Sequence, residues 1–253
     1  MHTAEAKTPA FFIFIPCYNE EKAISKLSHE LLLLRERLNQ KHLELRVVWV
    51  NDASRDQTAN EIEREVQKHS WQKVIHHQSN LNLVGVLETI LSSHLRFQEP
   101  SLSFLGLGVL DGDYSHPPSF FSEMIEKIVL GYDVVIASRF QVGSIIRGVP
   151  FHRHLFSVGM SWLFRSFGRV PNAKDYSCGY RAYSPAILQR IGEYKFQCRS
   201  FACMVELLMV AHQQGALICE VPFILRYDLK ESSSKMRVFK TIFETMKVLL
   251  KAS

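Results

Sequence analysis

Two aspartates, Asp111 and Asp113, are separated by one glycine and follow a long apolar stretch, residues 102–110. If the chain turns at Gly112, which has no Cβ to resist a turn, both carboxylates can face one point. Carboxylate oxygens suit Mg2+ or Mn2+, and substrate phosphates commonly complete the coordination of such ions. The same spacing also suits a turn in which Asp111 caps a helix beginning at Pro117. The pair is therefore a candidate metal site with a structural alternative.

Two other polar clusters stand directly after apolar runs, at residues 16–20 and 51–56. In the second cluster, Asn51 and Asp52 could accept and donate hydrogen bonds at the edge of a base or a ribose. An Asx turn or a helix cap is the structural alternative for these residues, and Glu20 could likewise cap a helix.

Short apolar runs alternate with helical patterns through the first half of the chain. The runs predict strands at residues 11–15, 45–50, 73–77, 102–110 and 133–137. Helical spacing predicts helices at residues 21–38, 56–68, 84–97 and 117–130. This order predicts an α/β fold with a doubly wound, mostly parallel sheet in one domain. Ligands bind beyond the carboxyl ends of the strands in such sheets, so the three polar clusters are predicted to form one site.

The composition excludes several classes of protein. With 47% hydrophobic and 22% charged residues, the chain is neither disordered, collagen-like nor coiled-coil. It contains no run of eighteen apolar residues and no secretory signal pattern, so we predict no membrane span. Five cysteines without a CxxC pair favour a reducing compartment over a disulfide framework or a zinc site. The lone GxG at residues 106–108 lacks a third glycine before a helix, so no dinucleotide site is predicted.

The net charge of +5 is unevenly distributed along the chain. Residues 1–133 carry 13 basic and 18 acidic side chains, and residues 175–228 carry five of each. Residues 134–174 carry six basic and no acidic side chains, whereas residues 229–253 carry six basic and two acidic ones. The positive charge therefore lies in two stretches behind an acidic front half.

Each basic stretch contains an amphipathic helical pattern, at residues 151–167 and 236–251. Basic ends with Trp and Phe on the body of a helix are typical of helices that lie in a lipid interface. For residues 151–167, which no acidic residue interrupts, we predict peripheral membrane contact. For residues 236–251, membrane contact and docking on the sheet are equal alternatives. No RNA- or DNA-binding motif accompanies these stretches, so no nucleic-acid partner is predicted.

The polar clusters, taken in order, resemble the motifs of family 2 glycosyltransferases. The resemblance rests on IPCYNE at residues 15–20, VNDASRDQT at 50–58 and DGD at 111–113. Three later motifs resemble the dolichol-phosphate mannosyltransferase-like branch: YSHPP at 114–118, DYSCGYR at 175–181, and EVP at 220–222 followed by SSK at 233–235. Together they extend from about residue 11 to residue 240.

The resemblance implies a GT-A fold, a nucleotide-diphosphate-sugar donor, Mg2+ or Mn2+ as cofactor, and a polyprenyl or dolichyl phosphate acceptor. It implies nucleotide-sugar binding by Pro16, Tyr18, Glu20, Asp52, Asp111 and Gly112. It implies metal binding by Asp111 and Asp113, and acceptor-phosphate binding by Arg139, Arg153, Ser234 and Lys235. The residues expected to carry catalysis are Asp113, Arg139 and Lys235.

The expected organisation is a glycosyltransferase domain at residues 9–228, followed by a basic loop and an amphipathic helix at residues 229–253. The expected location is cytoplasmic, on the cytosolic face of a membrane, and a separate membrane-anchoring subunit is left open. The branch most commonly uses mannose from GDP-mannose. UDP-glucose or UDP-GlcNAc as donor, a non-lipid acceptor, and a catalytically inactive regulatory relative are the alternatives.

Four details depart from the family pattern. Asn51 stands where the family usually has aspartate, and residues 80–85 replace a glycine-rich turn. In that turn Asn82 is expected to adopt left-handed backbone geometry, which is costly for a β-branched residue such as Val84. Ser115 stands where many members have glutamine, and the stretch from Arg226 to Lys235 is spaced differently and has serine for glycine. Elsewhere, Glu206 lies in an otherwise apolar helical stretch and is expected to need a partner, for which Arg181 is the candidate.

Overall fold

The computed structural model describes residues 7–97, 99–230 and 238–252. The strands are β1 (Thr8–Cys17), β2 (Glu44–Asn51), β3 (Gln72–His76), β4 (Leu102–Val109), β5 (Val134–Ser138), β6 (Ile145–Arg147), β7 (Arg181–Tyr183), β8 (Ile218–Pro222) and β9 (Ile224–Arg226). The α-helices are α1 (Glu21–Asn39), α2 (Thr58–Lys68), α3 (Asn82–Ser93), α4 (Phe121–Val129), α5 (Phe151–Gly168), α6 (Pro185–Ile191), α7 (Cys203–Gln213) and α8 (Val238–Ala252). Short 3-10 helices span His94–Phe97, Pro118–Phe120 and Tyr227–Leu229.

Seven of the described strands form one sheet in the order β3-β2-β1-β4-β7-β5-β8. Strand β1 pairs in parallel with β2 on one side and with β4 on the other. Strand β7 runs antiparallel to both of its neighbours, β4 and β5. The predicted mostly parallel sheet is therefore confirmed, and the chain order reverses at β1. Such a reversal opens a crevice beyond the carboxyl ends of the adjacent strands.

The core lies on both faces of the central strands. Residues 10–15 of β1 are buried without interruption because helices cover both faces of the sheet. Helix α1 buries the apolar stripe that the sequence predicts, consisting of Ile24, Leu27, Leu31, Leu34 and Leu38. The predicted strands and helices of the first half agree with the structure to within a few residues at each end.

The GxG of β4 is explained by packing. A Cβ on Gly106, whose φ is +145°, would lie 2.5 Å from the carbonyl oxygen of Tyr183 in β7. A Cβ on Gly108 would lie 2.2 Å from the ring of Phe121 in α4. Both glycines therefore allow neighbouring elements to approach β4 closely.

Helix α8 packs mainly against helices α5 and α7. Its Thr245 and Leu249 are fully buried, whereas Phe243 is 62% exposed. Of the two alternatives for this helix, docking on the sheet is wrong in its partner, because the buried face of α8 packs on α5 and α7. Within the described ranges, no helix combines the length and the apolar content needed to cross a membrane.

The predicted pairing of Glu206 with Arg181 is wrong. Glu206 is buried and accepts hydrogen bonds from the Tyr194 hydroxyl at 2.9 Å and from two backbone N–H groups of residues 197 and 198. The Arg181 guanidinium instead donates to two backbone carbonyls, those of Met204 and Tyr176. A short loop before α7 donates the hydrogen bonds that this carboxylate needs. Residue types alone do not predict such a loop.

Candidate active site

Hydrogen bonds join the loop after β1 to the loop after β2. The Oδ1 of Asn19 accepts from the backbone N–H of Arg55 at 2.8 Å, and the Asn19 N–H donates to the Ser54 hydroxyl at 3.0 Å. Asn19 has a φ of 54°, a left-handed conformation that asparagine tolerates better than most residues. The N–H of Glu20 donates to the Thr58 hydroxyl at 2.7 Å. The two predicted nucleotide-binding clusters therefore form one connected unit.

Glu20 occupies the N-cap position of α1, but its side chain makes no capping hydrogen bond. The Glu20 N–H itself donates to the Thr58 hydroxyl, and the N–H of Glu21, the first residue of α1, donates to the Asp56 carboxylate at 3.3 Å. The capping alternative for Glu20 is therefore wrong. Its buried carboxylate lies at the sheet edge, near enough to Lys230 to contribute to the raised pKa of that lysine.

Asp52 is buried and fixes the segment that follows β3. Its Oδ1 accepts from the backbone N–H of Leu81 at 2.8 Å and lies 2.8 Å from Nδ1 of His77. The other ring nitrogen of His77 lies 3.0 Å from the Thr89 hydroxyl of α3. His77 was not predicted as a site residue, because no candidate partner lies near this histidine along the chain. Its position at the end of a predicted strand was the available signal.

Asn51 stabilises a turn, which was the structural alternative to a contact with a base or a ribose. Its Oδ1 accepts from the backbone N–H of Ser54, three residues on, at 3.2 Å and so closes a local turn, and its Nδ2 lies 3.0 Å from Nδ1 of His76. In the next loop, Asn82 adopts the expected left-handed geometry with a φ of 59°, while Val84 is helical. These side chains shape the loops around Asp52.

Gly112 allows the turn after β4 to meet the end of β1. A Cβ at this position would lie 2.8 Å from both the Cys17 sulfur and the Pro16 carbonyl oxygen. Any larger residue would push the Asp111-Gly112-Asp113 turn away from Pro16. The structure therefore brings together Pro16, Gly112 and the two aspartates, while half-buried Tyr18 begins the loop that follows β1.

Both carboxylate oxygens of Asp113 have partners. Oδ1 accepts from the Ser115 backbone N–H at 3.0 Å and from the Ser115 hydroxyl at 2.6 Å. Oδ2 is paired with the ammonium group of Lys230. Burial by itself would raise the pKa of Asp113, but His116, Lys230 and the hydrogen bonds lower it to about 2. The carboxylate is therefore ionised at neutral pH.

Asp111 is more open than Asp113. Its side chain is 40% exposed, with Oδ2 lying 3.8 Å from Nδ1 of His116. No hydrogen-bond donor reaches this carboxylate from the described part of the chain. A Cβ on Gly179 would lie 3.2 Å from Oδ1, so glycine leaves space on that side. Loss of solvation raises the pKa of Asp111, as does the charge of Asp113, while His116 opposes the rise.

Asp111 does not cap the following helix. The N-cap position of the Pro118–Phe120 turn is Pro117, and no side chain makes a capping hydrogen bond there. The capping alternative for Asp111 is therefore wrong, and its carboxylate is not committed to a helix cap.

The carboxylate oxygens of Asp111 and Asp113 suit a hard divalent cation as ligands. Among the residues that the structure describes, no group of three or more His, Cys, Asp or Glu side chains is arranged to hold a metal ion. Mg2+ typically binds through one or two carboxylates and completes its coordination with substrate phosphates and water, so the two aspartates suffice. The Lys230 ammonium at Asp113 indicates that this carboxylate already attracts a cation.

Arg139 forms a bidentate ion pair with Asp175. Its Nε and Nη2 donate to the two carboxylate oxygens at 2.7 Å each, and Nη2 also donates to the Ser177 hydroxyl at 2.9 Å. Asp175 is completely buried, and its backbone N–H donates to Glu220 at 2.7 Å. Burial would raise the pKa of Asp175, but Arg139 outweighs it and lowers that pKa. The carboxylate in turn raises the pKa of Arg139 against the effect of burial.

Several predicted residues cannot be placed. Ser234 and Lys235 lie outside the described residues, and so does the side chain of Arg153, whose backbone belongs to α5. Lys230 was missed although it precedes Lys235 by five positions in the same basic stretch. Asp175 was also missed as a functional residue, although it opens one of the motifs that carry the family resemblance.

The structural comparison supports the GT-A fold. A mannosyltransferase from Pyrobaculum calidifontis, whose structure contains GDP-Man and Mn2+, superposes with a TM-score of 0.58 at 16% identity. The match covers 86% of this chain and 57% of that protein. The predicted fold is therefore confirmed.

Sequence comparisons identify relatives of the expected kind. The chain is 25% identical over 236 residues to a dolichol-phosphate mannosyltransferase of Pyrococcus furiosus, which covers 93% of this chain and 61% of the relative. It is 26% identical over 216 residues to a polyprenol monophosphomannose synthase of Mycolicibacterium smegmatis, which covers 85% and 77% of the two chains. This chain thus spans about three fifths of the Pyrococcus protein. The family model of glycosyl transferase family 2 matches residues 12–192, and the chain therefore belongs to that family.

Proposed function

We propose that the chain transfers a sugar from a nucleotide-diphosphate-sugar to dolichyl or polyprenyl phosphate, with mannose from GDP-mannose as the first candidate. The observation that carries this proposal is the meeting of three segments at the reversal point of the sheet. Gly112, between Asp111 and Asp113, abuts Pro16 and Cys17 at the end of β1, and the Asp52 backbone N–H donates to the Cys17 carbonyl at 2.9 Å. The names of the two curated relatives support a lipid-phosphate acceptor. We propose that the reaction takes place at the cytosolic face of a membrane.

The donor side uses the carboxylates of the acidic front half. Asp111 and Asp113 would hold Mg2+ or Mn2+, which when bound would neutralise the charge developing on the leaving nucleoside diphosphate. Asp52 and Glu20 are buried carboxylates at the same edge and would accept hydrogen bonds from the nucleoside. The connected loops fix their positions before the donor arrives.

The acceptor side needs orientation more than proton removal. A phosphate monoester has a second pKa of about 6, so the acceptor is largely anionic at neutral pH and needs no general base. Its oxygen attacks the sugar C1, the bond from C1 to the diphosphate oxygen breaks, and the diphosphate leaves with the electron pair. Arg139 has its Nε and Nη2 committed to Asp175, which leaves Nη1 to contact the acceptor phosphate. Inversion at C1 is the expected stereochemical outcome.

A thermal-shift panel tests the donor. GDP-mannose, UDP-glucose and UDP-GlcNAc are each added with Mg2+ or Mn2+, and GDP-mannose is expected to raise the Tm most because only a bound ligand stabilises the fold. Transfer of labelled sugar to dolichyl phosphate is then measured, with a water-soluble phosphate as comparison. A larger shift with a UDP-sugar would favour that donor, and equal use of the soluble acceptor would contradict the lipid assignment. Absence of any shift or transfer would indicate an inactive relative.

An exposed apolar surface on α5 and α8 supports membrane contact. We define the α5–α8 surface by the exposed large apolar side chains that share one face of each helix: Phe151, Val158 and Trp162 of α5, and Phe243 and Leu250 of α8. Lys247 lies over the Phe243 ring at 4.4 Å, so a basic group accompanies the apolar ones. Apolar side chains beside basic groups suit the interface of an anionic bilayer. We therefore propose that this surface lies against the membrane that carries the acceptor.

Replacing Trp162 with glutamate should weaken vesicle binding. Trp162 is 69% exposed, and burial of one large apolar side chain contributes about 1.5–3 kcal/mol, so a loss of about tenfold or more is expected. Binding is measured by flotation with vesicles of phosphatidylcholine and phosphatidylserine. Leu130→Glu is the matched control, because Leu130 is 72% exposed but lies outside the α5–α8 surface. Equal binding by Trp162→Glu and the wild type would contradict the proposed membrane surface.

A further inference from the structure

We propose that Lys230 is a tethered cation that competes with the divalent metal for Asp113, so that the metal and the donor diphosphate bind cooperatively. The inference rests on the proposed function, because it requires the metal to bind at Asp111 and Asp113. It assigns to Lys230 a role that is distinct from that of a fixed structural ion pair. Lys230 would exchange the carboxylate for the diphosphate when the donor and metal enter.

The Asp113 carboxylate has partners on both of its oxygens. Oδ1 already accepts two hydrogen bonds from Ser115, at 3.0 and 2.6 Å. Oδ2 is paired with the Lys230 ammonium. A metal ion that binds Oδ2 must therefore displace Lys230, since two cations cannot occupy the same side of one oxygen. Lys230 and Asp113 are mostly buried, with side chains 16% and 9% exposed, so water screens this competition only weakly.

The fold holds the segment that brings Lys230 to Asp113. Strand β9 pairs with β6, and the N–H of Arg226 at its end donates to the carbonyl of Ser115 at 2.9 Å. The following turn packs closely on the β6 side, because a Cβ on Gly148 would lie 2.5 Å from the backbone nitrogen of Asp228. Lys230 comes two residues later, and its N–H donates to the Tyr227 carbonyl at 3.3 Å. Its approach to Asp113 thus follows from the backbone contacts that hold residues 226–230.

The Lys230 ammonium lies among negatively charged groups. Three carboxylates act on it electrostatically, those of Asp113, Asp111 and Glu20. A divalent cation entering this group satisfies Asp111 and Asp113 but leaves Lys230 as an adjacent positive charge, which disfavours metal binding. A donor diphosphate supplies anionic oxygens with which Lys230 can pair. The metal therefore binds better when the diphosphate is present, and by reciprocity the diphosphate binds better when the metal is present.

Direct Mn2+ binding tests this inference without measuring catalysis. Free Mn2+ is quantified by electron paramagnetic resonance with the wild type, Lys230→Met and Lys195→Met, each with no nucleotide, with GDP and with UDP. Coupling between two ligands is typically 5–150-fold, so Lys230→Met should bind Mn2+ at least about fivefold more tightly than the wild type without nucleotide. The gain in Mn2+ affinity on adding nucleotide should be smaller in Lys230→Met. Lys195→Met is the matched control, because its side chain is 72% exposed and pairs with Glu88 away from the aspartates.

The possible outcomes separate this inference from the proposed function. If Asp113→Asn abolishes Mn2+ binding while Lys230→Met binds as weakly as the wild type, the Lys230 inference is wrong and the metal assignment stands. If neither the wild type nor Lys230→Met binds Mn2+ with any nucleotide, the metal assignment fails and the inference fails with it. Circular dichroism and the Tm of each variant establish that the compared proteins are folded. Weaker Mn2+ binding by Lys230→Met would also overturn the inference, because Lys230 would then assist the metal.

Discussion

Replacing Asp113 with asparagine should lower the rate of sugar transfer by at least about 100-fold, the usual scale for losing one electrostatic group at a reacting centre. Asparagine has nearly the same size, and its carbonyl oxygen can still accept the hydrogen bonds that Ser115 gives to Oδ1. It lacks the charge that would hold the metal. The variant therefore removes the proposed chemistry while leaving most of the local packing intact.

The rate is measured as transfer of labelled sugar to dolichyl phosphate with saturating donor and Mn2+. Glu126→Gln is the matched control, since that carboxylate is exposed in α4 and pairs with Lys41. Because Asp113→Asn leaves Lys230 partly unpaired, Asp111→Asn provides a second variant with no hydrogen bond to lose among the described residues. Its rate should fall in the same way with no loss of Tm. Activity near the wild-type rate in both folded variants would show that these aspartates do not hold an essential metal.

Local patterns were enough to predict the parts of the fold that position the site. The strands β1, β2 and β4 contain buried apolar runs, and such runs carry a strong signal because helices cover both faces of the sheet. The parallel order then placed Pro16, Asp52 and the aspartate turn at one edge. Strand β7 was not predicted, because three residues are too few for a periodic pattern.

The contacts that complete the site are long-range, and residue spacing does not encode them. Lys230 and Asp113 are 117 residues apart, and Asp52 and His77 are 25 apart. Each pairing depends on how the sheet and the small β6–β9 pair bring distant turns together. For Asp175, the motif could be read from the sequence, but its role as the anchor of Arg139 follows only from the bidentate geometry.

Replacing Asp175 with asparagine should lower the free energy of unfolding by about 3 kcal/mol at pH 7, because breaking a buried ion pair leaves an uncompensated charge. The loss is expected at the low end of the usual range for breaking a buried ion pair, since the Arg139 side chain is 22% exposed and water relieves part of the loss. The pKa of Asp175 is lowered in the folded state, so its ionisation contributes stability above the unfolded pKa of about 3.9. This contribution disappears as the pH falls through the folded pKa. The difference between the wild type and Asp175→Asn should therefore narrow below about pH 4.

Urea denaturation across this pH range measures the effect, and Asp228→Asn is its matched control. Asp228 also binds an arginine in bidentate fashion, but Arg226 and Asp228 are 30% and 38% exposed. An exposed pair contributes little to stability because water screens it, so the two variants differ mainly in burial. If Asp175→Asn cost no more than Asp228→Asn, the pair would not stabilise the fold. Full stability with reduced transfer would instead mean that Asp175 serves to orient Arg139, since the guanidinium would then lose its fixed direction without any structural penalty.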